Sequence, residues 1–325
     1  MPSFTFKRKE PLVKAVRRGA VRHLNVVIEA LTRPGQSAKF GRELARLDAL
    51  VQLFRGPLGP EVYRRESRVL TRAFQSIQPA GAIGQAEVAS RLTALASEPP
   101  AIPIDGLLET PASVTAERPQ ASDESKEPGG RGKRGAPDPD RLRLMADLAE
   151  MRMRARYWHL PDGGFEQLSP GLRRSYNQAA KAAESLSTSG RAAPPDGSGA
   201  AGDAAAQVVP GAVSGVIPGV ILGKAVVRLA VQIQSFERVW PDGLQVYPRE
   251  LRGLADALRE RAVLTQLPQC WEGHAQEREL ETRRQAAALE WDGTIRLASA
   301  RLFAETPAAF VKRLGAYWAA WRGED

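Results

Sequence analysis

The sequence predicts an all-α protein, and composition and periodicity carry that prediction. Aromatic residues make up only 6% of the 325 residues, whereas apolar residues make up 43%. A core with this composition is built mainly from Ala, Leu and Val, which favours helices over a β-sandwich. Outside two stretches rich in helix breakers, apolar residues recur at intervals of three and four, the helical period. The length suits about two domain-sized units.

The first 97 residues contain four predicted helices. The first begins near Pro11 and ends before Pro34, because proline is favoured in a first turn and stops a helix that runs into it. Gly-Pro pairs then separate the second helix from the third. Helices joined by such short turns are typical of an antiparallel four-helix bundle. We therefore predict helices over about 11–32, 37–55, 61–78 and, more weakly, 83–97.

Two stretches are predicted to be disordered linkers. Residues 98–139 contain eight prolines, few large apolar side chains and no regular period. Such a segment buries too little apolar surface to offset the entropy that ordering costs. Residues 187–215, rich in Ala, Gly, Ser and Pro, have the same character. The predicted division is a first bundle over 1–97, a linker over 98–139 and a second bundle over 140–325 with a flexible insertion at about 187–215.

The second unit also shows helical periodicity, and its aromatic residues concentrate near the C-terminus. Phe310, Tyr317, Trp318 and Trp321 fall at helical spacing without interleaved basic residues. This pattern is typical of core packing, and a platform that stacks bases would need the interleaved cations. We predict helices over about 140–157, 168–186, 219–239, 246–267, 272–304 and 307–322.

The positive charge belongs to the N-terminal unit. The whole chain has a formal net charge of +9, yet the first 97 residues alone hold 17 basic and 7 acidic residues. Residues 98–139 have a net charge of −3. This distribution indicates an anionic partner for the first unit. The basic residues are not interleaved with aromatic ones, which disfavours sequence-specific recognition of nucleic acid.

Several classes of site are disfavoured by composition. One cysteine and three histidines cannot form an internal disulfide or the usual Cys/His zinc site. No local pattern indicates catalytic residues, a metal site or a cofactor. His23, on the first predicted helix, is expected to be a histidine at the surface or at the boundary of the core rather than a catalytic one.

The N-terminus shows no apolar run of signal-peptide length, so a cytoplasmic location is expected. The uncharged stretch from Ala204 to Gly223 is interrupted by prolines and glycines, so no transmembrane segment is predicted.

Basic side chains at helical spacing form the candidate anion site. Those on the second and third predicted helices are Lys39, Arg42, Arg46, Arg64, Arg65, Arg68 and Arg72. The alternative is a solvated surface on which Glu43, Glu61 and Glu66 neutralise the arginines. Arg173 and Arg174 lie in the first turns of the helix at 168–186. Lys224 and Arg228 form an i, i+4 pair on an otherwise apolar helix, with extension to solvent as the alternative.

The C-terminal run RLASARLFAETPAAFVKRLGAYWAAWR, residues 296–322, resembles the final helices of CHAD domains, the conserved-histidine α-helical domains. The opening segment and residues 162–183 resemble the family's corresponding segments, so the resemblance covers most of the chain outside the linkers. The sequence is similar to a diverged member, because Ala38 stands at the family's histidine position. Gly41, Ala45 and Asp48 stand at positions that are cationic in the family. The best-matching residues are Arg301, Leu302, Glu305, Pro307, Phe310, Arg313, Leu314, Tyr317 and Trp318.

The resemblance implies two pseudo-repeated four-helix bundles that bind inorganic polyphosphate, or a similar polyanion, in a basic groove without catalysis. Stacked arginines bind phosphate oxygens by charge-assisted hydrogen bonds and release of counterions. We therefore expect a non-catalytic polyanion-binding protein. The alternative is a structural protein that has lost the anion site and binds a protein partner or a granule surface.

Overall fold

The computed structural model describes residues 4–33, 35–76, 90, 139–189, 216–268 and 277–323. These ranges contain nine long α-helices and no strand, in agreement with the predicted all-α class. Short helical turns at Phe165–Gln167 and Pro241–Leu244 precede the fifth and seventh helices. The helices are α1 (Leu12–Thr32), α2 (Ser37–Leu53), α3 (Gly59–Ser76), α4 (Pro139–Ala155), α5 (Ser169–Ser189), α6 (Val216–Gln234), α7 (Val246–Gln266), α8 (Glu277–Leu302) and α9 (Pro307–Arg322).

The first four helices pack in a closed ring. Helix α2 lies against α1 and α3, and α4 lies against both α1 and α3. The predicted division at residue 140 assigned this last helix to the second unit, whereas its partners here are α1 and α3. Side chains explain the packing: Arg152 donates to Asn25 Oδ1 on α1 at 3.1 Å, and Leu144 and Leu148 are buried. These contacts join residues far apart in sequence, which local periodicity does not reveal.

Helices α5 to α9 pack around α5 and α6. Helix α6 lies against α5 and α7, α7 lies against α8, and α9 returns to α5. Helix α2 joins this group to the first, since it contacts both α5 and α6. The Gln232 side chain donates to the Ala49 carbonyl at 2.9 Å where α6 crosses α2. Gly171 at the start of α5 lies directly against the Leu53 carbonyl, a separation that only glycine allows.

The two ends of the described chain meet in the core. Phe6 packs edge to face against Trp318 of α9 with ring centroids 5.3 Å apart, and it also contacts Phe236 after α6 at 5.1 Å. Phe310 is buried as well, stacked on Tyr176 at 4.5 Å. The prediction that the C-terminal aromatic residues pack in the core is confirmed for these side chains.

Most helix boundaries differ from the predictions by a few residues. Helix α5 extends through Ser189, so the first residues of the predicted insertion at 187–215 are helical. Helix α6 begins at Val216, ahead of the predicted start at residue 219. Several predicted segments lie outside the described residues: the rest of the insertion, the linker up to residue 138, and the predicted helix at 83–97 with the exception of Ser90. Cys270 and His274 also lie outside the described residues.

Candidate functional site

The eleven cations proposed from the sequence divide into a paired and an unpaired group. Three of the five paired arginines contact the glutamates named above as their alternative partners, and the other two contact aspartates. These pairs are Arg46 with Glu43, Arg64 with Glu61, Arg65 with Glu66, Arg72 with Asp147 and Arg228 with Asp48. The other six form no salt bridge within the described ranges, and all but half-buried Lys39 are exposed: Lys39, Arg42, Arg68, Arg173, Arg174 and Lys224.

Arg46 belongs to a buried cluster that joins α1 to α2. His23 Nδ1 lies 2.9 Å from Glu43 Oε2, and Arg46 pairs with the other oxygen of the same carboxylate. Burial alone raises the pKa of Glu43, but the hydrogen bond with His23 and the charge of Arg46 outweigh it and hold the pKa below its ordinary value. The expected surface position of His23 is wrong, because this histidine is only 5% exposed. The positive charge of Arg46 is therefore paired with the carboxylate of Glu43.

Two arginines of α3, Arg65 and Arg72, lie on the side that faces α4. Glu66 is fully buried, and Arg154 of α4 donates to both of its oxygens at 3.0 and 2.8 Å. The hydrogen bond that Arg154 donates to Glu66 raises the pKa of Arg154 above its ordinary value. Arg65 approaches the same carboxylate at 3.3 Å, and Arg72 pairs with Asp147 of α4. This side of α3 therefore holds α4 in place.

The cations of α2 lie on a different side of that helix from Asp48. At about 100° per residue, Arg46 is roughly 160° and Arg42 roughly 120° away from Asp48 around the helix axis. Helix α6 crosses α2 at Ala49, which is about 100° from Asp48 and about 60° from Arg46 around the helix axis. The predicted cations therefore do not all converge on one groove.

One side of this crossing does bring predicted cations together, and we call it the α5–α6 seam. Arg228 of α6 contacts Asp48 of α2 at 3.1 Å and donates to Gln178 Oε1 of α5 at 3.3 Å. Lys224 lies one turn before Arg228 on the same helix face. On α5, Arg174 and Lys181 lie on the face of Gln178, at i−4 and i+3 from it. The seam comprises Arg174, Gln178, Lys181, Lys224, Arg228 and Asp48.

A chain of polar side chains extends the seam to α3. Gln52 donates to Asp48 Oδ1 at 3.4 Å, and the Tyr63 hydroxyl donates to Gln52 Oε1 at 2.9 Å. Arg55 lies over the Tyr63 ring at 4.7 Å from its centroid. The side of α2 in the seam thus supplies one carboxylate and one amide, and the cations come from α5 and α6.

A second basic surface lies between α1 and the end of α4, and we call it the α1–α4 groove. It has a volume of about 730 Å³, and its apolar lining includes Val13, Val21 and Val26. Some of its cations bond within the protein: Arg17 donates twice to the Trp158 carbonyl, and Arg18 donates to both oxygens of Glu10. The hydrogen bond from Arg18 lowers the pKa of Glu10. The basic residues of the groove are Lys14, Arg17, Arg18, Arg22 and Arg156.

Sequence analysis missed both Lys181 and the basic side of α1. The spacing of Lys14, Arg17, Arg18 and Arg22 places them on one face of that helix, a signal readable from the sequence. Lys181 lies seven residues after Arg174 and is likewise on the face of its predicted neighbour. The apolar period of these two helices, which predicts the helices themselves, does not indicate their basic faces.

No group of three or more His, Cys, Asp and Glu side chains that could hold a metal ion occurs among the described residues. Within the same ranges, every helix is too short or too polar to cross a membrane. Comparison of the chain with known protein families, curated proteins and solved structures finds no match.

Proposed function

We propose that this chain is a diverged, non-catalytic CHAD-type protein that binds inorganic polyphosphate, or a similar polyanion, along the α5–α6 seam. The observation that supports this most is the position of Arg228 at the meeting point of α2, α5 and α6. Lys224 on the same helix, with Arg174 and Lys181 on the facing one, continues the row of cations. The last three are exposed and form no salt bridge within the described part of the chain.

The chemistry of the seam suits a flexible chain of phosphates. Its cations project from two adjacent helices, so successive phosphates contact successive turns rather than a single pocket. Arginine matches two phosphate oxygens at once, and lysine adds a point charge. Such binding releases counterions and needs no base-stacking surface.

The helix packing supports the proposed pseudo-repeat of two bundles. Helices α1 to α4 close a ring in which each contacts the next and the last returns to the first. Helices α5 to α8 repeat this order, with α8 returning to α5. Helices α2 and α6 occupy the second place in each ring and cross each other. Helix α9 lies outside both rings and packs against α5.

Fluorescence anisotropy with a labelled polyphosphate tests the binding proposal. Lys224→Glu should weaken binding about tenfold at low salt, since it removes a charge-assisted contact of about 1.5 kcal/mol. Lys14→Glu in the α1–α4 groove makes the same change in net charge and is the matched control, with an expected loss below about threefold. Affinity should fall steeply with added salt. Undetectable binding at low salt, or equal losses in the two variants, would contradict the proposal.

A second candidate function, binding of a protein partner or a granule surface, is favoured by apolar residues beside the seam. Val220, Ile221 and Val227 of α6 are 45%, 53% and 40% exposed. Exposed apolar groups in one place are typical of an interaction surface. Deleting residues 204–215 and following cellular localisation separates the two functions. Only the partner-binding function predicts that the deletion changes the cellular location. Only polyanion binding predicts that Lys224→Glu loses polyphosphate affinity.

A further inference from the structure

Helix α8 has apolar residues on the side that faces away from the protein. Its inner side packs into the core through residues that include Ile295 and Leu302. On its outer side, Leu289 and Leu297 are 73% and 70% exposed. Ala286, Gly293 and Ala300 lie on this same side at intervals of seven residues. An apolar stripe on the exposed side of a long helix is typical of a surface that packs against another helix.

Two opposite charges border this outer face without an ion-pair partner. Glu290 and Arg296 form no salt bridge within the described ranges. The positions three and four residues from Glu290 hold only Ala, Gly and Thr. The one acid within a turn of Arg296 is Asp292, which already accepts a hydrogen bond from Arg261 of α7 at 2.8 Å.

The outer face is symmetric about Gly293. Residues at equal distances on either side of this glycine are alike or complementary. They are Glu290 and Arg296 at three positions, Leu289 and Leu297 at four, and Ala286 and Ala300 at seven. When two copies of a helix cross antiparallel about a two-fold axis, each residue faces the one at the same distance on the other side of the axis. Leucine then faces leucine, and each glutamate faces an arginine.

Gly293 itself fits a close crossing of two helices. A Cβ atom at this position would have no atom within 4 Å, so the packing of the single chain does not require glycine. Its backbone does not require it either, because positive φ angles among the described glycines occur at Gly35, Gly59 and Gly323. Between two helices, a missing side chain allows the axes to approach closely.

We propose that the outer face of α8 is a homodimer interface, formed with α8 of a second copy crossing antiparallel at Gly293. The complementary charges favour a second copy of the chain as the partner, because one interface then contains two contacts between Glu290 of one copy and Arg296 of the other. The stripe from Ala286 to Ala300 spans about 21 Å at ~1.5 Å per residue. An interface of this length is small, so the dimer should form at micromolar concentrations.

Charge exchange tests the pairing. Sedimentation of the full chain over roughly 1 to 300 μM should show concentration-dependent dimers. Glu290→Arg and Arg296→Glu should each weaken dimerisation about tenfold, because each creates two like-charge contacts. The double variant restores opposite charges and should return to within about threefold of the original. Glu184→Arg on α5 makes the same charge change elsewhere and should have no effect. A monomer at all concentrations, or a double variant weaker than both single ones, would overturn the proposal.

Cross-linking tests the geometry independently. In a Cys270→Ser background, Gly293→Cys places a thiol on the two-fold axis, and a mild oxidant should link two chains through it. Ala286→Cys places the two thiols about 21 Å apart and should not link. Far-ultraviolet circular dichroism confirms that each variant remains helical. Equal linking at both positions, or linking at Ala286→Cys alone, would contradict the antiparallel crossing.

Discussion

At the scale of single residues, Asp48 determines how much of the seam's positive charge is available. Arg228 divides its donors between Asp48 and Gln178, and both of these acceptors lie within the seam. An anion approaching Arg228 must compete with a carboxylate already in contact. Asp48 holds α6 to α2, and under the proposed function it should weaken anion binding.

Replacing this carboxylate should strengthen binding. Asp48→Asn removes the negative charge and keeps one of the two oxygens that accept from Gln52 and Arg228. We expect polyphosphate affinity to rise about three- to tenfold at low salt, which corresponds to roughly 0.7–1.4 kcal/mol. Anisotropy measures this directly. Asp147→Asn, which removes a charge from the α3 to α4 contact, is the control, and an equal gain there would show a general charge effect.

Glu43 should make stability depend on pH. The lowered pKa of Glu43 means that its ionised form stabilises the folded state. This contribution is complete above the ordinary value of 4.5 and is lost as the pH falls through the lower folded value. Glu43→Gln should cost about 1–3 kcal/mol near neutral pH, because the hydrogen bonds it alters are buried. His23 and Arg46, the groups that face this carboxylate, remain in the variant.

Urea unfolding at several pH values measures this difference. The gap between the original chain and Glu43→Gln should narrow below pH 4.5. Glu61→Gln, at a carboxylate that is 90% exposed, is the control and should cost below about 0.5 kcal/mol. A gap that widens on acidification would contradict the assignment.

At the scale of helices, a buried carboxylate fixes α4 against α3. Glu66 is completely buried, and the two donors of Arg154 compensate for its charge. Arg154→Met should cost about 3–5 kcal/mol, because it leaves the carboxylate with only the more distant Arg65. Thermal and urea unfolding measure the loss. Arg64→Met removes an exposed pair with Glu61 and should cost less than about 1 kcal/mol, so similar losses would refute this role.

The sequence predicted these helices better than their partners. The boundaries of α9 at Pro307 and Arg322 followed from a first-turn proline and a regular apolar period, both of which are local. The contact of Glu66 with Arg154 joins positions 88 residues apart across the linker, so no local period indicates it. The same limit applies to the seam. Lys224 and Arg228 stand out in the sequence as cations on an apolar helix, but only the crossing of α2 and α6 brings Asp48 next to Arg228.

At the scale of the whole molecule, α2 joins the two groups of helices. Helix α2 contacts both α5 and α6, and the amide of Gln232 bonds to its backbone at Ala49. At Gly171 the backbone of α5 lies directly against the backbone of α2, and an added Cβ would lie 2.0 Å from the Leu53 carbonyl oxygen. Because this neighbour is backbone, it cannot rotate away as a side chain would.

Gly171→Ala should therefore force α5 away from α2. We expect a loss of about 2–4 kcal/mol, since overpacking against backbone requires a shift of a whole helix. Arg174 lies one turn after Gly171 on α5, so the displacement also moves this arginine. Polyphosphate affinity should therefore fall together with stability. Gly253→Ala on α7, where a Cβ meets no atom within 4 Å, should be neutral or stabilise by up to about 1 kcal/mol.

Urea unfolding and anisotropy on the same samples measure the stability and the polyphosphate affinity of each variant. A stable Gly171→Ala variant would show that the two groups of helices are not packed this closely, and a destabilised variant with unchanged affinity would separate the seam from the junction of the two groups.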